Sequence, residues 1–142
     1  MSRESTTPDL VERFRRSVEA FNRRDIDGVM SFYSPDVVWD ALIREVGRFE
    51  GAAALHGFFE EWLIPYEKFR IEVEESVDLG NGVTFAAIRQ MGRLIDTQGY
   101  IQQRAAQVLL WEKGLIIHVT VYLDRDEARA AAERLAKERA DV

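Results

Sequence analysis

The sequence predicts an α+β fold in which helices pack on one mostly antiparallel sheet, and three observations carry that expectation. Between Phe69 and Leu123, three turn signals divide the chain into four long runs rich in β-branched and aromatic residues. The segments before and after this stretch repeat apolar residues at helical spacing, and each stripe needs an apolar surface to cover it. No repeat, low-complexity segment or linker interrupts the 142 residues, which are 46% hydrophobic, so one domain over 1–142 is expected.

Thr7-Pro8-Asp9 reads as a helix start, because Thr can cap, Pro suits the first helical position and Asp faces the positive dipole end. Leu10, Phe14, Val18 and Phe21 form the buried stripe of this first helix, and Arg23 and Arg24 complement its negative end. Asp25 or Asp27 caps a short second helix carrying Ile26, Val29, Met30 and Tyr33, which Ser34-Pro35 stops. Val37 to Ala41 is a short strand, followed by a loop from about Ile43 to Glu50. Gly51 opens a third helix and Pro65 closes it; Leu55, Phe58, Phe59, Trp62 and Leu63 fall at i, i+3, i+4, i+7 and i+8, a spacing that predicts a buried Trp62.

Phe69 to Val73 alternates apolar and polar as a half-buried strand must. Asn81-Gly82 tolerates positive φ and predicts a two-residue type I′ turn, so the strand from Val83 pairs antiparallel with Phe69–Leu79. Asp96-Thr97-Gln98-Gly99 is a looser polar turn, and Glu112-Lys113-Gly114 suits a three-residue type I turn with a bulge, joining Tyr100–Trp111 to Leu115–Leu123. Asp124, answered by Glu127, caps a final helix whose buried side is Ala128, Ala131, Ala132 and Leu135.

Composition narrows the function classes. Absence of cysteine removes disulfides, thiolate nucleophiles and zinc-thiolate sites, and fits a reducing compartment. The first seven residues lack a signal-peptide core, and no apolar run approaches the ~18 residues of a membrane span, so a cytoplasmic protein with no membrane partner is expected. A net charge of -6 opposes a phosphate backbone, so no nucleic-acid partner is expected; Arg13, Arg15, Arg16, Arg23 and Arg24 read as a solvated helix face interrupted by Glu12 and Glu19. With two histidines, no glycine-rich phosphate loop and no nucleophile elbow, neither a cofactor nor a metal is indicated.

The order of Asp25-Ile26-Asp27, Tyr33-Ser34-Pro35-Asp36-Val37-Val38-Trp39-Asp40, Phe49-Glu50-Gly51, Gly114-Leu115-Ile116 and Tyr122-Leu123-Asp124 resembles the nuclear transport factor 2-like superfamily, particularly its SnoaL-like members, over roughly residues 9–130. The resemblance implies a cone-like roll: a strongly bent, mostly antiparallel sheet covered by three to four helices around a pocket, often in a homodimer. The superfamily includes isomerases, polyketide cyclases, epoxide hydrolases, dehydratases and proteins with no chemistry, so fold alone does not assign an activity. Registered against ketosteroid isomerase, the general-base Asp falls on Ala41, the oxyanion Tyr on Ser17 and the neutral oxyanion Asp on Gln107, while Tyr33 matches a supporting Tyr. That pattern argues against enolisation in the manner of that enzyme.

Three readings follow. The first is a pocket protein for a small apolar molecule with a polar handle, acting as a cofactor-independent acid-base enzyme (isomerase, cyclase, dehydratase or hydrolase) with Asp40 as base and Gln107 or Tyr33 orienting an oxygen. Strand alternation points Asp40 outward, so this role needs a bulge. Trp39, Arg89, Phe21, Phe59, Trp62, Val119 and Leu123 are the expected substrate wall, with Arg89 paired to Asp40 or to a ligand anion. The second reading is a non-catalytic ligand-binding module, and the third a dimeric scaffold whose own Trp39, Trp62 and Phe59 fill the pocket.

Several residues fit more than one place. The face Ile101, Gln103, Ala105, Gln107, Leu109 and Trp111 suits either a pocket wall or a wetted dimer interface, and Arg89, Gln90, Gln102 and Arg104 also interrupt apolar runs. The outer sheet face, with His118, Thr120, Tyr122, Arg104 and Gln102, is the expected homodimer contact. His56 lies off the third helix's stripe, at the surface. Glu75, alone among the apolar residues Phe69, Ile71, Val73, Val77 and Leu79, either enters the pocket or marks a β-bulge.

Overall fold

Capping and turn chemistry place most element boundaries. The computed structural model describes residues 9–42, 46–97 and 99–140. In order, they form α1 (Leu10–Asn22), α2 (Ile26–Met30), β1 (Tyr33–Ala41), β2 (Gly47–Glu50), α3 (Ala52–Leu63), β3 (Tyr66–Gly80), β4 (Val83–Leu94), β5 (Tyr100–Glu112), β6 (Leu115–Tyr122) and α4 (Arg125–Ala140). Asp9 is the cap of α1, accepting from the Glu12 amide at 3.1 Å; the expected contributions of Thr7 and Pro8 lie outside the described residues. Asp25 caps α2 through the Gly28 amide at 2.9 Å, and Asp124 caps α4 through the Glu127 amide at 3.0 Å.

The strands make one six-stranded sheet in the order β2-β1-β6-β5-β4-β3, left open at both edges. β1 and β6 run parallel and the other neighbours antiparallel. The fold is therefore the expected α+β roll, with two differences at its first edge. β1 reaches back to Tyr33, beyond the predicted start at Val37, and its register with β6 breaks between Tyr33 and Val38, where Pro35 has no amide to give the ladder. Gly47–Glu50, expected as loop, is an edge strand; its charged Arg48 and Glu50 flank one apolar Phe49, too little pattern to read as β. Ile43 to Glu45 of that expected loop lie outside the described residues.

Asn81 and Gly82 have φ of 58° and 79°, and Gly80 pairs with Val83, as the type I′ turn requires. Lys113 and Gly114 also have positive φ, 54° and 79°, while Glu112 pairs with Leu115. The second hairpin is thus a two-residue turn rather than the predicted three-residue turn with a bulge. In the third connection, Thr97 Oγ1 accepts from the Gly99 amide at 3.1 Å; Gln98 lies outside the described residues.

The sheet has two apolar faces. On the concave one, α1, α2 and α3 pack over Val37, Trp39, Ile88, Leu109, Trp111, Ile116 and Val119. On the convex one, α4 lays Ala128, Ala132 and Ala136 on Val83, Phe85, Ala87, Ala106 and Val108; Ala131 and Leu135, expected on its buried side, are only partly covered. α4 and Tyr122 occupy part of the face expected to carry a dimer contact, so the strip still open there runs through Gln102, Arg104, His118 and Thr120.

A register shift between Val73 and Glu75 is the bulge that the lone acid signalled. Up to Val73, the odd positions of β3 join the concave core; after it, Glu75 faces α4 and bonds Arg125 and Arg129. Two of the clustered arginines are not merely solvated. Arg13 Nε donates to the Gly114 carbonyl at 2.7 Å, and Arg24 Nη2 to the Tyr66 carbonyl at 2.8 Å, tying α1 and its exit to the sheet. In α3, Leu55, Phe59 and Leu63 are buried, whereas Trp62 is only half-buried.

His56 joins α3 to α2, its Nε2 lying 3.0 Å from Asp27 and its Nδ1 3.3 Å from Glu60. The hydrogen bond to Asp27 raises its pKa, burial opposes this, and the charges of Glu60 and Asp27 add to the rise. The fold therefore favours the protonated ring, so the stabilisation is complete below the unfolded value of about 6.5 and fades as pH climbs through the raised folded value. His56→Gln should lower the urea midpoint relative to the parent at about pH 6, and the deficit should shrink as pH rises and the ring loses its proton in the folded state. A deficit that stays constant as pH rises would mean that the ring acts by packing alone.

Candidate functional site

Between α1, α3 and the concave sheet face lies a cavity of about 140 Å³. Strand parity decides what faces it. Trp39 and Ala41 of β1 point in, beside Val119 and Val121 of β6, and Val121 pairs in turn with Gln107 of β5. Along β5 the inward positions Gln103, Ala105 and Gln107 all line the cavity, Gln103 exposed and the other two buried. The space exists because small side chains, Ser17, Ala41 and Ala105, stand where larger ones would fill it. Aromatic rings lock the wall: Phe59 meets Phe21 edge-on at 5.4 Å and Trp39 at 5.2 Å, and Phe58 stacks on Phe49 at 4.3 Å.

All four positions registered against ketosteroid isomerase, Ser17, Tyr33, Ala41 and Gln107, line this cavity. Their chemistry is neutral. Ser17 Oγ already donates to the Phe14 carbonyl at 2.7 Å, within its own helix. Burial pushes the Tyr33 phenol well above its ordinary range, so it remains protonated at any physiological pH. Gln107 is 7% exposed, and its amide makes no hydrogen bond to any described residue. The Trp39 indole N–H, buried against the neighbouring rings, likewise has no acceptor among the described residues. The described lining residues include no carboxylate, histidine, lysine or arginine.

Of the expected wall, Phe21, Tyr33, Trp39, Phe59, Trp62 and Gln107 are brought together here. Asp40, Arg89, Val119 and Leu123 are not. The β1 register is regular from Val38 to Ala41, so Asp40 points to the convex face, where Arg48 Nη1 holds it at 3.3 Å. Arg89 also points there and pairs with Glu72 across the β3–β4 ladder, leaving it no role against Asp40 or at the cavity. Val119 is fully buried core beneath Trp39, and Leu123, just past the end of β6, is 56% exposed. His118 shares the convex face; burial and the Arg48 charge lower its pKa, with Asp40 opposing. Among the described residues, no three His, Cys, Asp or Glu side chains converge as a metal site.

The remaining lining residues were partly visible. Gln90 and Gln103 stood out as polar interruptions of apolar strands, and Phe14 and Val18 belong to the α1 stripe. Phe69 and Ile71 follow from the β3 alternation up to the bulge. Val46, beyond the end of the predicted strand, carried no sequence signal.

The family model for the SnoaL-like domain matches residues 14–119. No curated protein matches at a significant level. Among solved structures, a nuclear transport factor 2-like protein from Burkholderia pseudomallei is 19% identical, with a TM-score of 0.72 over 89% of this chain and 98% of that one. A Mycobacterium tuberculosis protein in complex with estradiol-17β-hemisuccinate is 17% identical, with a TM-score of 0.71 over 82% and 95%. TerC, co-crystallised with polyporic acid, is 16% identical, with a TM-score of 0.70 over 88% and 98%. Identities this low establish a shared fold and nothing finer.

The Gln107 amide has no hydrogen-bond partner among the described residues and opens on the cavity instead of being sealed in the core. Gln107→Leu, close in volume, should therefore change stability by less than about 1 kcal/mol in a urea melt. A larger loss would show that the amide is structural.

Proposed function

The chain belongs to the SnoaL-like domain family, and from that membership and the cavity we propose that it is a binding protein for a small, neutral, mainly apolar molecule. The polar handle of the ligand meets the Gln107 amide. One observation carries the reading: Gln107, 7% exposed, turns an amide with no described protein partner onto a cavity walled by aromatic rings, and the described lining holds no ionisable carboxylate or imidazole. The acid-base reading needs a base, and its candidate, Asp40, is engaged by Arg48 on the opposite face. The scaffold reading needs Trp39, Trp62 and Phe59 to fill the space, and they line it instead. Neighbours solved with estradiol-17β-hemisuccinate and with polyporic acid support a ligand-holding role for this architecture.

Acetylnaphthalene, a neutral ketone, and naphthoate, its anionic counterpart, test this by calorimetric titration at about pH 8, where the acid is fully ionised. The ketone should bind at least roughly tenfold more tightly, since burying a carboxylate with no cation in the wall is costly. Asp40→Asn should leave ketone affinity unchanged, and Gln107→Leu should weaken it by about two- to tenfold, the range of one net hydrogen bond. Equal affinity for ketone and anion, or dependence on Asp40 alone, would refute the proposal.

A further inference from the structure

Three glutamines face this one cavity, and their spacing is informative. Gln103 and Gln107 lie on the same face of β5, four residues apart, so at the rise of a strand their Cα atoms are separated by ~13 Å. Gln90 of β4 pairs directly with Gln103, which places two amides side by side at the exposed end. Between the two levels lie Ala105 and its cross-strand partner Ile88, both buried and apolar. The wall therefore reads polar, apolar, polar from mouth to floor. Among the described residues, none of the three amides is held by a protein hydrogen bond; Gln103 is exposed and Gln90 half-buried, so water serves those two, while Gln107 is 7% exposed and turns to the cavity.

We propose that the cavity reads both ends of its ligand: Gln107 holds one neutral oxygen at the closed end, and Gln90 with Gln103 holds a second at the mouth, across an apolar body. The inference rests on the binding reading above and adds a length and a second polar group to it. With side chains standing roughly perpendicular to the sheet and hydrogen bonds of about 3 Å, the terminal oxygens of a matching ligand are roughly 7 Å apart if it lies between the amides and up to roughly 13 Å apart if it lies over them. That range includes the span of two linked or fused rings bearing a hydroxyl or carbonyl at each end. An amide offers both a donor and an acceptor, so either oxygen type is accepted at either end. The two ends differ in strength. Water reaches the mouth glutamines in the absence of ligand, whereas Gln107 is buried, so the floor contact discriminates more.

Biphenyl, its para-hydroxy derivative and its para,para′-dihydroxy derivative form a matched series of increasing end polarity on one apolar body. Calorimetric titration of the full chain should show the first hydroxyl tightening binding by about five- to tenfold and the second by a further two- to threefold or so, as one buried and one wet hydrogen bond would. In the Gln90→Leu, Gln103→Leu double variant, whose changes lie at the open end and leave the floor intact, the second hydroxyl should add nothing while the first keeps its effect. A second hydroxyl that adds nothing to the parent protein, or one whose effect survives in the double variant, overturns the two-ended inference and leaves single-ended binding standing. Failure of all three compounds to bind overturns the binding reading and this inference together.

Discussion

One extra residue in β3 sets which way the sheet faces. Side chains alternate strictly along a strand, so a continuous β3 would send Phe69, Ile71, Val73, Glu75, Val77 and Leu79 to one side. The register shift between Val73 and Glu75 divides that set. Phe69, Ile71 and Val73 join the concave core under α1, while Leu79 packs with the α4 cluster on the other face. Glu75 then meets Arg125 and Arg129 of α4, and the contact with Arg125 is the first cause of its lowered pKa. Because those groups are part-exposed, the ion pairs orient α4 more than they stabilise it. The bulge thus lets a single strand serve two cores.

With the long hairpin divided in this way, the concave face is free to be hollow. The Asn22 side chain anchors the end of α1 to β3 by exchanging hydrogen bonds with the Ile71 backbone, at 3.0 Å and 2.8 Å, so the helix roof is held by this pairing as well as by the packing of Phe14, Val18 and Phe21. The edge-on contacts of Phe59 with Phe21 and Trp39 stiffen the walls. A cavity of about 140 Å³ and the unpartnered Trp39 indole N–H both oppose stability, and the packed residues around them, Leu55, Leu109, Ile116 and Val119, offset that cost. Rigidity of the wall is what makes such a space useful, because a binding site that must first open loses affinity to the opening.

Where local chemistry decides structure, the sequence was legible. Asn81-Gly82 dictates its own turn, Asp25 and Asp124 cap as their positions demand, and the break in β3 polarity at Glu75 announces the bulge. Where partners come from distant strands, it was not. Arg89 looked like a stranded cation because its neighbour Glu72 is set by the hairpin register, and β2 was invisible because its pairing with β1 supplies the order that its own four residues lack. Asp40 was legible from alternation, which points it outward, and the regular pairing of β1 from Val38 to Ala41 has no bulge that would turn it in. Trp62 sits on the helix stripe as expected, but the stripe borders a cavity, so membership of the stripe did not imply full burial.

The electrostatics of the site follow from that neutrality. Four positions that could carry an acid-base set carry Ser17, Tyr33, Ala41 and Gln107, and the one titratable member is held protonated by burial. The nearest outward carboxylate on β1, Asp40, is neutralised by Arg48 on the far side of the sheet. No fixed charge in the described wall can therefore offset the desolvation of a buried ion, and the chain's net charge of -6 adds a repulsive field against anions approaching the mouth. Selection in such a site rests on shape and on the placement of uncharged donors and acceptors. The described wall holds no histidine: His118 lies on the convex face, and His56 turns to Asp27 and Glu60 on the outer side of α3.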